Sequence, residues 1–508
     1  MTGCPMHHGM AKARGCTHAA ASSFSKLFPD LAGLKVTEED AAILGGPGGL
    51  MHDFDGESED CAIPAGYIFF AQFIDHDITL DTSSKLRGEP KDVENINALP
   101  NIRTPSLDLD CVYGFGPEGS PHIYDGDRPG RLAINPNGFD LARSPSGVAL
   151  IGDPRNDENI FVSQMQLLFH QFHNKLYNER VNAANPGERF EEAQKEARYH
   201  YQWLVLFDFL KRLCDPEIYK VATQALIDGN FRTKSVDTLP AAAFPYFYQP
   251  DDHEKLTMPV EFSVAAYRVG HTMVRSEYAV NANNLDVELF DERFSTLGFS
   301  SLPEELVVDW RYMLPVDESI RPRMSKAIDP LLADEIQALP VTGSNNPLDN
   351  ALAFRNLLRG NVMSLPSGQA VATALQAKYP SIKLEDLGLG EVADAANLGD
   401  YKRQQLDRLA NATPLFYYIL RESEVGETEG QRLGPVGSAI LMEIFGGMLT
   451  YCDSFIKEKD WSPDPVVSKE KSLWANEKYA GDIDRQALID DPDYYPFDLA
   501  DVVRFVQG

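Results

Sequence analysis

The chain has 508 residues, of which 43% are hydrophobic and 24% charged, as expected of a folded globular protein with one large core or several smaller ones. Its 76 acidic residues outnumber the 46 basic ones, and the formal net charge of −30 disfavours binding to nucleic acids or anionic membranes. No apolar run approaches the ~18 residues of a membrane span, and the six scattered cysteines fit reduced thiols better than a disulfide framework.

The N-terminal segment lacks the apolar core of a secretory signal, so a cytoplasmic location is expected, with non-classical secretion as the alternative. GGPGG at 45–49 predicts a flexible loop, and the sequence before about residue 60 is expected to be irregular. Residues 1–44 are therefore interpreted as a partly mobile extension and residues 45–508 as the main domain. A mobile tail is preferred over a metal site for five candidate ligands in the extension: Cys4, His7, His8, Cys16 and His18.

Helical periodicity recurs along the rest of the chain. The apolar stretch at 66–80 predicts a buried helix, whereas 82–150, rich in Pro, Gly, Asp and Asn, predict long loops. A long helix is predicted from Asp153 as its N-cap, with His170 and His173 as a packed structural pair on it. Further helices are predicted at 199–213, 260–278, 351–360 and 438–452. We expect a mainly α-helical single large domain with long ordered loops and little β-structure.

The sequence QFIDHDITLD places a histidine between two aspartates. On a helix, successive residues point about 100° apart, so Asp75, His76 and Asp77 face different partners. Gln72, four residues before His76, shares its face. Three separate tasks are therefore more consistent with the spacing than one chelating trio, and a histidine satisfied at a polar helix end is the alternative.

The segment TPSLDLD at 104–110 carries an oxygen-bearing side chain at every second position. Alternating oxygen donors in a loop suit calcium, which takes six to eight oxygen ligands and accepts backbone carbonyls. Asp77 would add a carboxylate and connect the helix to this loop. An acidic solvated turn is the alternative.

Two later segments combine arginine with other chemically active side chains. In IGDPRNDENIF, Arg155 and Glu158 are predicted to share one face of a first helical turn. In YRVGHTMVRSEY, His271 is expected on a helix with Arg268 and Arg275 on the same face. A histidine flanked by cations fits an axial metal ligand beside an anionic group such as porphyrin propionates. A core histidine with surface arginines is the alternative.

Five short motifs follow one another between residues 72 and 366. They are Gln72-x-x-Asp75-His76-Asp77, Thr104-x-x-x-Asp108-x-Asp110, Gly152-Asp153-x-Arg155-x-x-Glu158, Arg268-x-Gly270-His271-Thr272 and Arg355-Asn356-x-x-Arg359. Each motif alone is weak, but the ordered set resembles the animal-type haem peroxidases of the peroxidase–cyclooxygenase superfamily, most closely its bacterial members. The resemblance implies a helical haem-peroxidase domain over most of the chain.

The resemblance also implies roles for individual residues. His76 matches the base that takes a proton from hydrogen peroxide and returns it to the leaving oxygen. Arg155 matches the residue that stabilises negative charge as the O–O bond breaks, and Gln72 the residue that hydrogen-bonds water or halide. His271 matches the ligand of the haem iron, and Asn356 its hydrogen-bond partner.

Further residues match those that hold the cofactors, which would be haem b and calcium. Arg268 and Arg359 match positions near the haem propionates. Asp75 and Glu158 match carboxylates that form ester bonds to haem methyl groups in many members. The resemblance implies five calcium ligands: Asp77, Thr104, Ser106, Asp108 and Asp110.

The implied activity is reduction of hydrogen peroxide with oxidation of small donors, either phenolic compounds or halides and thiocyanate. Asn159 stands where some mammalian members carry a methionine with a sulfonium link to haem, so strong chloride oxidation is not expected. Two other functions are weighed. A fatty-acid dioxygenase of the same superfamily would carry a tyrosine three residues before His271, where this chain has Arg268, and Tyr267 lies one residue further back. A non-catalytic, calcium-stabilised interaction protein would have lost some of these chemical residues.

Overall fold

The computed structural model describes residues 22–508 except for 55, 57–58, 83–84, 181–184, 233–243, 252–254, 291–297, 340–343, 385, 390, 393–395, 397–398, 459–460 and 464–482. Helices account for 49% of the structure and strands for 8%, which confirms the predicted mainly α-helical class. No helix among the described residues is both long and apolar enough to cross a membrane.

The longer helices form the body of the molecule. They are Glu38–Gly45, Gly66–Ile78, Ile160–Lys175, Pro186–Trp203, Pro216–Arg232, Leu352–Val362, Gly368–Leu375, Asp400–Ala410, Leu415–Val425, Pro435–Tyr451 and Leu499–Gln507. Short helices of three to five residues occupy Val93–Asn97, Asp110–Tyr113, Gly116–Gly119, Lys211–Leu213, Val260–Ser263, Gly270–Met273, Asp334–Gln337, Pro347–Asn350 and Ala487–Asp490. Tighter 3₁₀ turns occupy Pro121–Ile123, Pro154–Asp157, Ala266–Val269, Glu304–Leu306, Trp310–Tyr312 and Phe455–Lys457, and π-helical turns Leu176–Arg180 and Leu204–Leu210.

The strands are short and pair mostly in twos. They are Ser22–Ser25, His52–Asp53, Asp60–Pro64, Pro100–Asn101, Met258–Pro259, Glu277–Tyr278, Val287–Glu288, Met324–Lys326 and Leu332–Ala333. Ser22–Ser25 lies between Pro100–Asn101, to which it is antiparallel, and Met258–Pro259, to which it is parallel. These pairs connect distant loops and form no closed sheet.

The core is built around two packed helices. Gly66–Ile78 lies against Ile160–Lys175, and the rings of Phe73 and Phe169 stack with centroids 4.7 Å apart. Both phenylalanines are fully buried, and offset ring pairs add to the free energy gained by burial. This contact fixes the helix that carries His76.

The helix predicted from Asp153 begins later than expected. Asp153 caps only a 3₁₀ turn, Pro154–Asp157, whereas Asn159 caps the helix that begins at Ile160 by accepting a hydrogen bond from Val162 N. Two caps six residues apart create two elements. Glu158 ends the 3₁₀ turn, because its N–H donates to Arg155 O at 3.1 Å, so the two residues share one helical turn as predicted. The prediction that this turn begins the long helix is wrong.

Two other sequence predictions need correction. Residues 260–278 form separate short turns, and Arg275 leaves the face of His271 to donate to Met324 O at 2.8 Å. The region before residue 60 contains a regular helix, Glu38–Gly45, which begins with a capping box at Thr37. The predicted helices near 66–80, 199–213, 351–360 and 438–452 are present. The boundary between extension and domain at residue 44 stays a prediction.

Candidate active site

The helix that carries His76 directs its polar side chains in three directions. Gln72 and His76 both contact Glu158, so they share one face as their spacing predicts. Asp75 lies near Arg155 and Arg268, whose positive charges stabilise its ionised form. Asp77 accepts hydrogen bonds from the backbone of the 104–111 loop.

His76 is buried, and both of its ring nitrogens face polar atoms. Burial, followed by the charge of Arg155, lowers the pKa of His76 to about 3. His76 Nδ1 lies 2.7 Å from Asn156 Oδ1, and His76 Nε2 lies 3.7 Å from Glu158 Oε1. An amide oxygen only accepts hydrogen bonds, so Nδ1 carries the proton of the neutral ring. Nε2 is then a base directed at the Gln72 face.

Glu158 and Asn159 hold the amide of Gln72 between them. Gln72 Nε2 donates to Glu158 Oε1, and Gln72 Oε1 accepts from Asn159 Nδ2 at 3.2 Å. Burial raises the pKa of Glu158 to about 7, against the opposing charge of Arg155. A carboxyl group with this pKa is only partly ionised at neutral pH.

Arg155 is held at the C-terminal end of the same helix. Its Nη2 donates to His76 O at 3.1 Å and to Thr79 O at 2.6 Å, while Nε donates to Asp153 Oδ1 at 3.1 Å. Arg103 Nη2 donates to the other oxygen of Asp153 at 2.5 Å. Although burial opposes ionisation, Arg155 and Arg103 hold the pKa of Asp153 well below its usual range. Arg155 is therefore fixed beside His76 as a permanent cation.

Asp75 is a second half-buried carboxyl group next to Glu158. Burial raises the pKa of Asp75, with Arg155 and Arg268 opposing the shift. Thr79 Oγ1 donates to Asp75 Oδ1 at 2.9 Å. The two carboxyl groups lie close enough for the charge of Asp75 to raise the pKa of Glu158.

His271, Asn356 and Arg268 come together on a different set of elements. His271 Nδ1 lies 3.0 Å from Asn356 Nδ2, and Asn356 Oδ1 accepts from Arg268 Nη1 at 2.8 Å. Arg268 Nε donates to Ser263 O at 3.0 Å. A histidine that binds a metal through Nε2 donates from Nδ1–H. Metal ligation by His271 through Nε2 therefore needs the Asn356 amide to turn over, so that its oxygen faces Nδ1.

Positive charge accumulates around Arg268. Burial, together with the charges of Arg359 and Arg355, lowers the pKa of Arg268 to about 10, although the charge of Asp75 opposes the shift. Arg359 pairs with Asp81 through its Nη2. Three half-buried guanidinium groups thus lie near three carboxylates, Asp75, Asp81 and Asp349, and the charges of Arg355 and Arg359 act against that of Arg268. An additional anion beside Arg268 would relieve this repulsion.

The predicted calcium ligands form a loop around Asp77. Asp77 accepts hydrogen bonds from Leu109 N at 3.1 Å and Cys111 N at 3.3 Å. Burial and the charge of Asp110 raise the pKa of Asp77 to about 7, and the pKa of Asp108 is also raised by burial and by these two carboxylates. Buried like charges of this kind favour a bound cation.

The remaining two predicted calcium ligands lie in the same loop. Thr104 Oγ1 donates to Asp110 Oδ2 at 3.3 Å, and Thr104 O accepts from Ser106 N at 2.8 Å. Within the described part of the chain, no three His, Cys, Asp or Glu side chains are close enough to share one metal ion. The calcium site stays a prediction. The candidate metal ligands of the N-terminal tail lie outside the described residues.

Several residues that shape the site were not recognised in the sequence. Asp153 was interpreted as a cap and as a motif position without a role of its own, yet its carboxylate accepts two hydrogen bonds from the Arg155 side chain. Asn156 and Gln166 form hydrogen bonds behind His76. In the sequence, Asn156 is distinguished only by following Arg155, and Gln166 only by preceding His170 by four residues. His170 and His173 bond to backbone carbonyls, as expected of a structural pair.

The chain belongs to the animal haem peroxidase family. The family model "Animal haem peroxidase" matches residues 86–367, more than half of the chain. That family belongs to the peroxidase–cyclooxygenase superfamily, whose members are haem-dependent oxidoreductases. The comparison with curated proteins gave no match.

Solved structures share the fold at low sequence identity. Peroxidase A from Dictyostelium discoideum is 13% identical, with 88% of this chain and 93% of that chain covered and a TM-score of 0.53. A fatty acid α-dioxygenase from Oryza sativa is 18% identical, with 86% and 77% covered and a TM-score of 0.53. The corresponding enzyme from Arabidopsis thaliana is 14% identical, with 86% and 73% covered and a TM-score of 0.52. The fold therefore does not separate the two activities.

The side chains around His76 and His271 fit the haem that the family binds. They provide an imidazole with an amide next to its Nδ1, half-buried arginine charge for propionates, and two half-buried carboxyl groups, Asp75 and Glu158. Haem requires an axial donor, cations for its carboxylates and a polar face for the reacting ligand. All three kinds of group are present in the described residues.

Proposed function

We propose that this protein is a haem peroxidase that reduces hydrogen peroxide to water while oxidising small donors. Each turnover would convert one peroxide and two hydrogen-donating molecules into two waters and two donor radicals, or would oxidise one halide by two electrons. The observation that carries the proposal is the state of His76, a buried neutral base beside a fixed cation, Arg155.

The haem group would supply the iron that binds peroxide and the electrons that reduce it. The residues that would hold it in this chain are His271, as a ligand of the iron, and Arg268 and Arg359, as partners of the propionates. Asp75 and Glu158, two half-buried carboxyl groups of the site, would each form an ester bond to a haem methyl carbon. Each bond would replace one methyl C–H bond and one carboxyl O–H bond, with hydrogen peroxide as the oxidant, reduced to two waters.

The protein's own side chains would move the proton. His76 Nε2 would accept a proton from hydrogen peroxide and return it to the leaving oxygen. Arg155, fixed by Asp153, would stabilise the negative charge that develops as the O–O bond breaks. Gln72 would hydrogen-bond the water or halide, because Glu158 and Asn159 hold its amide in place.

A peroxidase is favoured over a dioxygenase by the residues that precede His271. Three residues before His271 stands Arg268, which donates hydrogen bonds to Asn356 Oδ1 and Ser263 O. Tyr267, one residue earlier, donates its hydroxyl to Ala71 O at 3.2 Å inside a buried aromatic cluster. That phenol is hydrogen-bonded to the protein backbone and is not positioned to abstract hydrogen from a lipid chain.

Donors other than chloride are proposed on the basis of Asn159. Its side chain caps a helix and bonds to Gln72, and an amide cannot form a sulfonium link. Bromide, iodide, thiocyanate and phenols are therefore the expected donors. Efficient chloride oxidation at neutral pH would contradict this part of the proposal.

Two assays on the purified holoprotein separate the possible activities. Peroxide-dependent oxidation of iodide and of a phenol is expected, with no oxygen uptake on linoleate in the absence of peroxide. Oxygen uptake with linoleate and no peroxide consumption would establish the dioxygenase instead. A protein that purifies without haem and gains no thermal stability from added haem would indicate a non-catalytic role.

A further inference from the structure

A chain of side chains runs behind His76, away from the face of Gln72. His76 Nδ1 lies 2.7 Å from Asn156 Oδ1, and Asn156 Nδ2 donates to Gln166 Oε1 at 2.6 Å. Gln166 Nε2 lies 2.9 Å from His170 Nε2. The exposed fraction is 5% for His76 and 0% for the other three, so water does not compete for these bonds.

The direction of every bond in this chain is set by two backbone carbonyls. Gln166 Nε2 also donates to Cys111 O at 3.2 Å, and a carbonyl only accepts, so the amide nitrogen of Gln166 must face that way. Its oxygen then faces Asn156. At the far end, His170 Nδ1 lies 3.2 Å from Ala133 O and must carry the proton, which leaves His170 Nε2 as an acceptor for Gln166.

The consequence reaches His76 through Asn156. Because Gln166 presents its oxygen, Asn156 must present its nitrogen to Gln166 and its oxygen to His76. If the Asn156 amide turned over, its oxygen would face Gln166 Oε1, another acceptor. Its nitrogen would face the protonated Nδ1 of His76, another donor. The opposite tautomer of His76 would place a nitrogen lone pair 2.7 Å from an amide oxygen. Burial makes both alternatives unfavourable.

We propose that Asn156 and Gln166 are positioning residues that hold the proton of His76 on Nδ1 and keep Nε2 as the base. The arrangement is anchored by Cys111 O and Ala133 O, both remote in sequence from His76. Because the chain ends on carbonyl oxygens and passes through two amides, it orients the imidazole and does not conduct protons. This inference deepens the proposed function and rests on it for its catalytic consequence.

The tautomer of His76 can be measured directly. Histidine-labelled ¹⁵N spectra of the purified holoprotein, reduced and bound to carbon monoxide so that the iron is diamagnetic, report which ring nitrogen carries the proton. His76→Gln assigns the resonance. The wild type is expected to show the proton on Nδ1, and a proton on Nε2 would overturn the inference even if the protein is an active peroxidase.

Two variants test the positioning residues. Asn156→Leu removes the acceptor, and Gln166→Met removes the anchor of Asn156 without touching His76. Both are expected to give mixed tautomers and to lower the second-order rate constant for peroxide by roughly 10- to 100-fold, with haem content and the donor KM unchanged. If Gln166→Met keeps the wild-type tautomer and rate, Gln166 does not position His76.

A neighbouring network provides the control. His173 lies one turn after His170 on the Ile160–Lys175 helix, and its Nδ1 is 3.0 Å from the hydroxyl of Tyr113. Its Nε2 bonds to Gly130 O, so this network does not include His76. Tyr113→Phe should therefore keep the His76 tautomer and the peroxide rate. If it changes both as much as Gln166→Met does, the effect is general loosening of the helix and the inference fails. A wild type with the expected tautomer but no peroxide turnover would refute the proposed function alone.

Discussion

Asn159 Nδ2 donates a hydrogen bond to Gln72 Oε1 across 3.2 Å, while Asn159 Oδ1 caps the Ile160–Lys175 helix. One amide thus connects the beginning of a core helix to a side chain of the candidate active site. Because its oxygen is used by the cap, only its nitrogen can face Gln72. The orientation of the Gln72 amide therefore follows from a helix cap.

This arrangement allows the cap and the active-site contact to be separated. Asn159→Asp keeps a good N-cap but loses the donor to Gln72, whereas Asn159→Ala loses both and should cost about 1 kcal/mol of stability. We expect Asn159→Asp to unfold like the wild type but to have an altered KM for iodide. An unchanged KM in both variants, measured by steady-state kinetics, would show that Asn159 serves only the helix.

The proposed ester bonds predict a specific pattern of haem retention. After brief peroxide treatment, acid–acetone should fail to extract haem from the wild type, because two half-buried carboxyl groups, Asp75 and Glu158, are available to bond it. Asp75→Asn and Glu158→Gln should each retain haem through the remaining link, and the double variant should release it. Full extraction from the treated wild type would rule out the ester bonds without affecting the peroxidase proposal.

Asp108 provides a test of the proposed calcium loop. Its Oδ1 accepts a hydrogen bond from Asp110 N at 3.3 Å, which an asparagine can also accept. In the presence of a chelator, Asp108→Asn should be more stable than the wild type by about 1–2 kcal/mol, because one buried like charge is removed. With calcium added, the order should reverse.

The exposed Asp127 serves as the control for this comparison, since Asp127→Asn should change stability little in either condition. Thermal unfolding with and without calcium measures all three proteins. If added calcium stabilises Asp108→Asn as much as it stabilises the wild type, the loop is not a calcium site.

Glu443 predicts how stability depends on pH. It is buried, accepts hydrogen bonds from Tyr379 Oη at 2.6 Å and Phe247 N at 2.8 Å, and burial raises its pKa to about 7 from an ordinary value of 4.5. The folded state therefore holds a proton that the unfolded state releases. This contribution is complete below about pH 4.5 and is lost as the pH rises through 7.

The free energy of unfolding of the wild type minus that of Glu443→Gln should accordingly fall by about 2 kcal/mol between pH 5 and pH 8. Urea unfolding of both proteins at several pH values measures the difference. A difference that stays constant or rises with pH would show that Glu443 is ionised in the folded protein throughout.

Local spacing explains which parts of the site the sequence predicted. The shared face of Gln72 and His76 and the separate directions of Asp75 and Asp77 follow from helical geometry alone. The helix beginning at Ile160 was predicted too early because Asp153 and Asn159 are both good caps, and the sequence does not state that each begins its own element.

Contacts between residues distant in the chain were beyond prediction from one sequence. Asn156 lies 80 residues from His76, and whether they meet depends on how two helices pack, which periodicity does not specify. The same holds for Arg103 and Asp153, 50 residues apart. The ordered motifs indicated the family, but the side chains that orient its residues became visible only in three dimensions.

The most direct test of the proposed function compares the wild type with His76→Ala at equal haem content. The second-order rate constant for peroxide consumption should fall by about 10²- to 10⁴-fold, the usual contribution of a general acid–base group. His173→Gln, which alters an equally buried histidine bonded to Tyr113 and Gly130, should retain the wild-type rate. An unchanged rate in His76→Ala would contradict the assignment of His76 as the base.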